Sequence, residues 1–275
     1  MELHAKKYLA TARTALRGQT NGGIVYILPN IALKIVYLVP LMFIWRLIAG
    51  PGASTGVETG LNPGAPSGVE IGMSLTQLLT YTYMHALLTD MLNVHTYMTD
   101  WDFDSKSTAL FTRPMPVFGQ VIARTAGDWA PMLLMFSLPM AIIAPLLGIQ
   151  IIPRTLWVLP SIILCASLGF AFEFCFFCVT LRVRNVSWLT NVIRTAVISV
   201  FSGAVIPFKI LPFGMDKWMG YQPFGSLGAA PLSLHVGTAN PATIIPMQVF
   251  WNVVFWSVAI VWFGRSRERL VSFGG

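Results

Sequence analysis

Apolar residues run through this chain in six long blocks, at about 24–48, 74–98, 126–149, 155–180, 188–206 and 242–264. A bilayer core of ~30 Å takes ~20 apolar residues per helix, so each block predicts a membrane-spanning helix. Ahead of them, Tyr8, Leu9, Ala12 and Leu16 recur at helical spacing within residues 1–20, with Lys6, Lys7, Arg13 and Arg17 on the remaining surface. That pattern predicts an amphipathic helix lying on the membrane, stopped at Asn21-Gly22-Gly23; a frayed basic tail is the other reading. The stretch after the fifth block, about 207–241, is too apolar for a solvated loop and too broken by Pro and Gly for a span. It predicts short helices that re-enter the membrane and cap a cavity, with an outer loop resting on the interface through Trp218 and Tyr221 as the alternative. The expected fold is therefore an all-α membrane protein in a single transmembrane domain, 1–275: an N-terminal interfacial helix, six transmembrane helices, and short re-entrant helices between the fifth and sixth spans.

Composition agrees with lipid as the solvent. Of the 275 residues 55% are hydrophobic and 11% charged, too few charges to cover the surface of a soluble globule. The net charge of +7 does not point to nucleic acid, because the basic residues form no patch interleaved with aromatics. They cluster at the ends of the apolar blocks. With the N-terminus inside, thirteen of the 18 Lys and Arg fall on the inner side, Arg194 among them, and Arg46, Arg154, Lys209 and Lys217 on the outer side, with Lys34 inside a span. This asymmetry places both termini in the cytoplasm. The linker at 51–72 is rich in Gly, Pro and Ser, holds Glu58 and Glu70 without Lys or Arg, and reads as a flexible outer loop. Residues 1–19 lack the short apolar core and cleavage site of a signal peptide. All three cysteines, Cys165, Cys175 and Cys178, lie in one apolar block, which excludes a disulfide framework.

No G-x-x-x-x-G-K-[ST], H-E-x-x-H or G-x-S-x-G occurs, so no residue is assigned a catalytic role and no nucleotide cradle is expected in this chain. Charge inside a span is the default functional signal, since it is costly unless paired or wetted. The candidates are Lys34, His85, Asp90 and Glu173. Glu173 reads either as a proton or cation site or as a carboxyl bonded between helices, and Lys34 as a partner for an acid on another helix or chain. Cys175 and Cys178 beside Glu173 are better read as small hydrophobes than as metal ligands, so no metal site is expected. In the second block Thr82, His85, Thr89, Asn93, Thr96 and Asp100 recur every three or four residues, and in the fifth Asn191, Thr195, Ser199 and Ser202 do the same. Each set marks one helix face, and the two together read as a wet path between helices or as packing through small hydroxyls.

Between the second and third blocks the chain reads FDSKSTALFTRPMPVFGQ, preceded by Asp100 and Asp102. Asp104 or Ser105 suits a helix cap, with the acids near the positive end and Arg113-Pro114 ending the turn. Such a short charged helix offers a cytoplasmic partner a grip; a solvated connecting loop is the other reading. This segment, with Leu110-Phe-Thr-Arg113-Pro114 followed by Pro116, resembles the cytoplasmic loop of the integral membrane subunits of ABC-2 type exporters, in particular the viologen-exporter-like branch. Gly203, Pro207, Leu211-Pro212, Pro223-Phe224 and Pro231 are similar to a second series in that family, and the likeness covers nearly the whole chain.

The resemblance implies a permease subunit in the bacterial plasma membrane, with ATP and Mg bound by a separate cytoplasmic ATPase dimer and with a second permease, either a different homologous chain or a second copy. It implies a coupling segment at about 100–114 carried by Asp100, Asp102, Asp104, Lys106, Arg113 and Pro114. An outer gate follows at Pro207, Pro212, Pro223 and Phe224. Asp90 and Glu173 become counter-charges for a cationic cargo, which the resemblance implies, whereas the aromatic and Met-rich walls by themselves suggest an amphipathic or apolar one, a drug, a lipid-like metabolite or a modified peptide. The rival expectations are a stand-alone proton-coupled transporter or membrane enzyme using Glu173 and His85, and a membrane scaffold.

Overall fold

The computed structural model describes residues 2–21, 24–49, 73–96, 113–182, 187–211 and 213–271. The outer linker 51–72, the acids Asp100, Asp102 and Asp104, Lys106, and Pro212 lie outside them. The described chain is all-helical, without strands. It comprises α1 (Glu2–Asn21), α2 (Ile24–Ala49), α3 (Leu75–Leu92), α4 (Val117–Met132), α5 (Leu138–Ile143), α6 (Val158–Thr180), α7 (Ser187–Phe201), α8 (Met215–Met219), α9 (Ala229–Val236) and α10 (Pro241–Val271). α4 runs through a π turn, Leu133–Ser137, into α5 and a 3-10 turn, Ala144–Leu147. Pro139 lacks the N–H that would close the ladder and its ring crowds the preceding turn, which accounts for the widened turn before it.

Among the described residues four helical stretches are long and apolar enough to cross a membrane: Ile27–Ile48, Val117–Leu147, Val158–Thr180 and Pro241–Ser266. Of the other two apolar blocks, the fifth forms a helix of 15 residues, α7. The second forms α3, which carries Gln77, His85, Asp90 and several threonines and buries most of its surface instead of offering it to lipid. Its start is fixed by a capping box between Ser74 and Gln77.

α3 is the hub of the largest core cluster, where Tyr81, Tyr83, Leu78 and Leu87 meet Trp45 of α2, Phe136 of the π turn and Leu232 of α9. Hydrogen bonds cross the same contacts: Trp45 Nε1 donates to Thr82 Oγ1 (2.8 Å), Tyr83 Oη to the Met140 carbonyl (2.6 Å), Ser137 Oγ to the Leu87 carbonyl (2.7 Å) and Tyr81 Oη to the Gly203 carbonyl (2.5 Å). A second cluster joins α4, α6 and α10 through Val121, Phe174, Phe177, Cys178 and Phe263. α6 and α10 are also laced together by amide and indole donors one turn apart on α10. Gln248 Nε2 donates to the Ser161 carbonyl (3.2 Å), Asn252 Nδ2 to the Leu164 carbonyl (3.0 Å) and Trp256 Nε1 to Ser167 Oγ (2.9 Å).

α1 packs along α4. A Cβ on Gly119 would meet the Tyr8 ring at 2.6 Å, and one on Gly127 would collide with the Ala12 carbonyl. These two glycines let the helix backbones approach.

The stretch after Phe201 breaks into a 3-10 turn (Phe208–Ile210), α8, a second 3-10 turn (Pro223–Ser226) and α9, as its Pro and Gly spacing predicts. Gly203 takes a left-handed φ of 66°, and the Phe208 ring fills the place its Cβ would occupy, 2.5 Å away.

Candidate functional site

The densest polar arrangement lies where α6, α7 and the end of α3 meet. α3 stops at Leu92, and residues 93–96 leave it in a non-helical conformation. The sequence pattern extends that helix to about 98, but two side chains capture the backbone groups first. The Thr96 N–H donates to Glu173 Oε2 at 3.0 Å and Thr96 Oγ1 donates to the same oxygen at 2.7 Å. Arg194 Nη1 donates to the Val94 carbonyl at 3.0 Å. Tertiary partners thus replace the i to i−4 bonds that would have prolonged the helix.

Glu173 and Arg194 also meet each other, Oε1 to Nη1, at 2.6 Å, with side chains 1% and 3% exposed. Arg194 Nη2 further donates to His95 Nδ1 (2.9 Å) and to Asn191 Oδ1 (3.3 Å). Since a guanidinium only donates, that contact makes His95 Nδ1 an acceptor and leaves its proton on Nε2. Both charges are therefore matched, and the pair binds α6 and α7 to the segment 93–96. Arg194, counted on the inner side in the sequence, sits inside α7 and is buried. Twelve inner positions remain against four outer ones. Its interior role was missed because a lone Arg in an apolar block also reads as a flank residue.

A second ion pair joins α2 to α3: Lys34 Nζ to Asp90 Oδ2 at 2.6 Å, with the ammonium 5.2 Å from the Phe136 ring centroid. The partner that the sequence left open for Lys34 is thus Asp90. His85 lies one turn earlier on α3, its carbonyl accepting from Thr89 Oγ1 at 2.7 Å.

The two polar stripes fare differently. Thr82 and Thr96 are buried and bonded, to Trp45 and Glu173, and Asn93 caps α3. On α7, Asn191 reaches Arg194 and Ser202 is buried, while Thr195 and Ser199 are exposed. Among the described residues the stripes meet through Arg194, which bonds Asn191 and the segment 93–96. Cys175 and Cys178 lie in the apolar cluster with Phe174 and Phe263, whereas Glu173 turns to Thr96 and Arg194, so the three do not converge.

Of the coupling residues, Arg113 and Pro114 are described; both are exposed, four and three residues ahead of α4. Of the gate residues, Pro207 precedes the first 3-10 turn and lines a cavity of about 260 Å³. Pro223 opens the second turn, and Phe224 stacks on Phe172 (ring centroids 5.1 Å apart). Phe172 stacks in turn on Phe255 of α10 at 4.2 Å. On the far side of the cap, His235 Nε2 contacts the Gln150 carbonyl at 3.0 Å. Burial pushes the His235 pKa below its usual value, and the bond to Gln150 opposes that in part. Compared with family models, with curated proteins and with solved structures, the chain matches none.

Proposed function

We propose that this chain is the permease subunit of an ATP-driven exporter of the ABC-2 type, working with a separate cytoplasmic ATPase dimer and a second permease in a bacterial inner membrane. The observation that carries this reading is the way the charged segment 97–112 is flanked. On one side, the segment 93–96 is clamped to α6 and α7 by Glu173 and Arg194. On the other, Arg113-Pro114 leads directly into α4, along which α1 is packed. A push on that segment by a closing ATPase would reach the bundle at both ends and bias it between two arrangements.

In this reading α3 and α7 complete six spans, with both termini in the cytoplasm. The short helices after Pro207 are re-entrant: Leu227 packs with Leu168 and Phe172, and Phe224 stacks on Phe172, near the middle of α6. Asp90 and Glu173 are already engaged by Lys34 and Arg194, so a cationic cargo would have to displace an internal cation. Aromatic rings and Met line much of the interior, which favours an amphipathic or lipid-like cargo or a modified peptide over a simple cation.

Gentle solubilisation and isolation through this chain test the proposal. A P-loop ATPase at two copies, with a second permease or a second copy of this chain, is the expected result. Recovery of the chain alone, still transporting along a proton gradient and indifferent to ATP, would favour the second reading, a proton-coupled transporter. The buried cluster of Glu173, Arg194 and His95 is the observation that keeps that reading in play.

A further inference from the structure

The cavity under the outer short helices is walled by small and apolar side chains, Ala230 of α9 and Ile244 and Met247 of α10 among them. Its charged lining residues are Lys209, Lys217 and Asp216, a net positive set. Neither lysine has an ion-pair partner among the described residues. Close by, the chain turns through Phe213 (φ 62°) and Gly214 (φ 69°). A bulky residue rarely takes that left-handed conformation. Phe213 is left 98% exposed and Trp218 84% exposed, at the edge of the same cap. In water such rings only add apolar surface, whereas at a bilayer interface aromatic side chains sit among the headgroups.

Unpaired ammonium groups, a small apolar interior and an aromatic rim match an amphiphile with a phosphate at the mouth and an acyl end inside. We propose that this cavity binds an anionic phospholipid of the surrounding bilayer, Lys209 and Lys217 taking the phosphate and Ala230, Ile244 and Met247 the start of an acyl chain. The site rests on the chain's being embedded in a membrane and is independent of any ATPase partner.

The test uses the protein purified with whatever subunits it carries, in mixed micelles holding equal amounts of phosphatidylglycerol and phosphatidylcholine with the same acyl chains. Retained lipid is read by native mass spectrometry. The wild type should favour phosphatidylglycerol. Lys209→Gln with Lys217→Gln should lower that preference about fivefold per lysine, and Lys209→Arg with Lys217→Arg should keep it. Filling the cavity with Ala230→Leu, or with Ile244→Phe at a less buried position, should lower retention of both lipids. Equal retention by the wild type, or a preference that survives the glutamine variant, would overturn the proposal. So would filling variants that fold and retain lipid normally, which would put the lipid on the aromatic rim. Displacement by glycerol phosphate at equal concentration would overturn the phospholipid in favour of a simple anion site.

Discussion

Glu173 and Arg194 show what a single pair of charges can do in a low-dielectric interior. Removing one partner strands the other, at a cost of about 3–5 kcal/mol, while replacing both with apolar groups of similar size costs far less. Arg194→Leu and Glu173→Leu should therefore each lower thermal stability in detergent sharply, and the double variant should recover part of the loss, the Thr96 N–H and the Val94 carbonyl still lacking their partners. Additive losses would show that the two do not act as a unit. That Glu173 is bonded between helices was one of two readings its sequence position allowed. Its partner was not legible, because which residue of α7 faces α6 depends on helix rotation, and an apolar block does not encode rotation as an amphipathic helix does. His235 makes a separate prediction, in α9 and outside the four membrane-length helices. Its folded pKa lies below the unfolded value, so the unfolded state binds more protons in the window between them, and stability falls as pH drops below about 6.5. Thermal melts at pH 7.5 and 5 should show this loss, and His235→Gln, which keeps a donor for the Gln150 carbonyl, should flatten it. An unchanged pH dependence in that variant would assign the loss to another group.

At the scale of elements, apolar length was the legible quantity and helix ends were not. The blocks at 24–48 and 155–180 match α2 and α6 closely, because their polar groups, Lys34 and Glu173, bond through side chains and leave the helix backbone uninterrupted. The third block was placed from 126, yet α4 begins at Val117. Residues 117–125 carry Gln120 and Arg124 and pack on α1 and the α6–α10 cluster, a tertiary setting that length and hydropathy do not contain. The amphipathic character of α1 was visible, but its docking on α4 was not, since it depends on two glycines whose missing side chains carry no pattern. Gly127→Leu should push α1 away from α4, because any Cβ there meets the Ala12 backbone and not a side chain that can move. Labelling of a cysteine placed at Ala12 should then become faster, with the protein still in the membrane; unchanged labelling would show that α1 is held elsewhere. The Pro and Gly spacing of the outer stretch foretold its broken helices for a local reason, and Gly203→Ala tests it. That change sets a Cβ against the Phe208 ring at a left-handed φ, and should destabilise the cap by more than about 1 kcal/mol. Retained stability would mean that Phe208 can rotate away.

For the whole molecule, the proposed mechanism requires that force on the segment before Arg113 be felt by α6 and α7. Among the described residues the segment 93–96 is the route from that side into α6 and α7 through bonds to charged groups, and Thr96 makes two of them, both to Glu173 Oε2. Thr96→Val keeps the branched shape and the backbone N–H but deletes the Oγ1 donor, a bond to a charged acceptor worth about 1.5–3 kcal/mol. Glu173 stays paired with Arg194 and the fold should survive, so the loss falls on the link between the segment 93–96 and α6. In the assembled complex, cargo-stimulated ATP turnover should then drop by about tenfold or more, while the ATPase still co-purifies at full stoichiometry. Arg113→Ala with Asp104→Asn should instead reduce the co-purified ATPase itself, because the proposal puts those residues in the contact and not in its relay. The two variants thus separate gripping from transmission. Full stimulation in Thr96→Val would mean that the push enters through α4 and α1 alone.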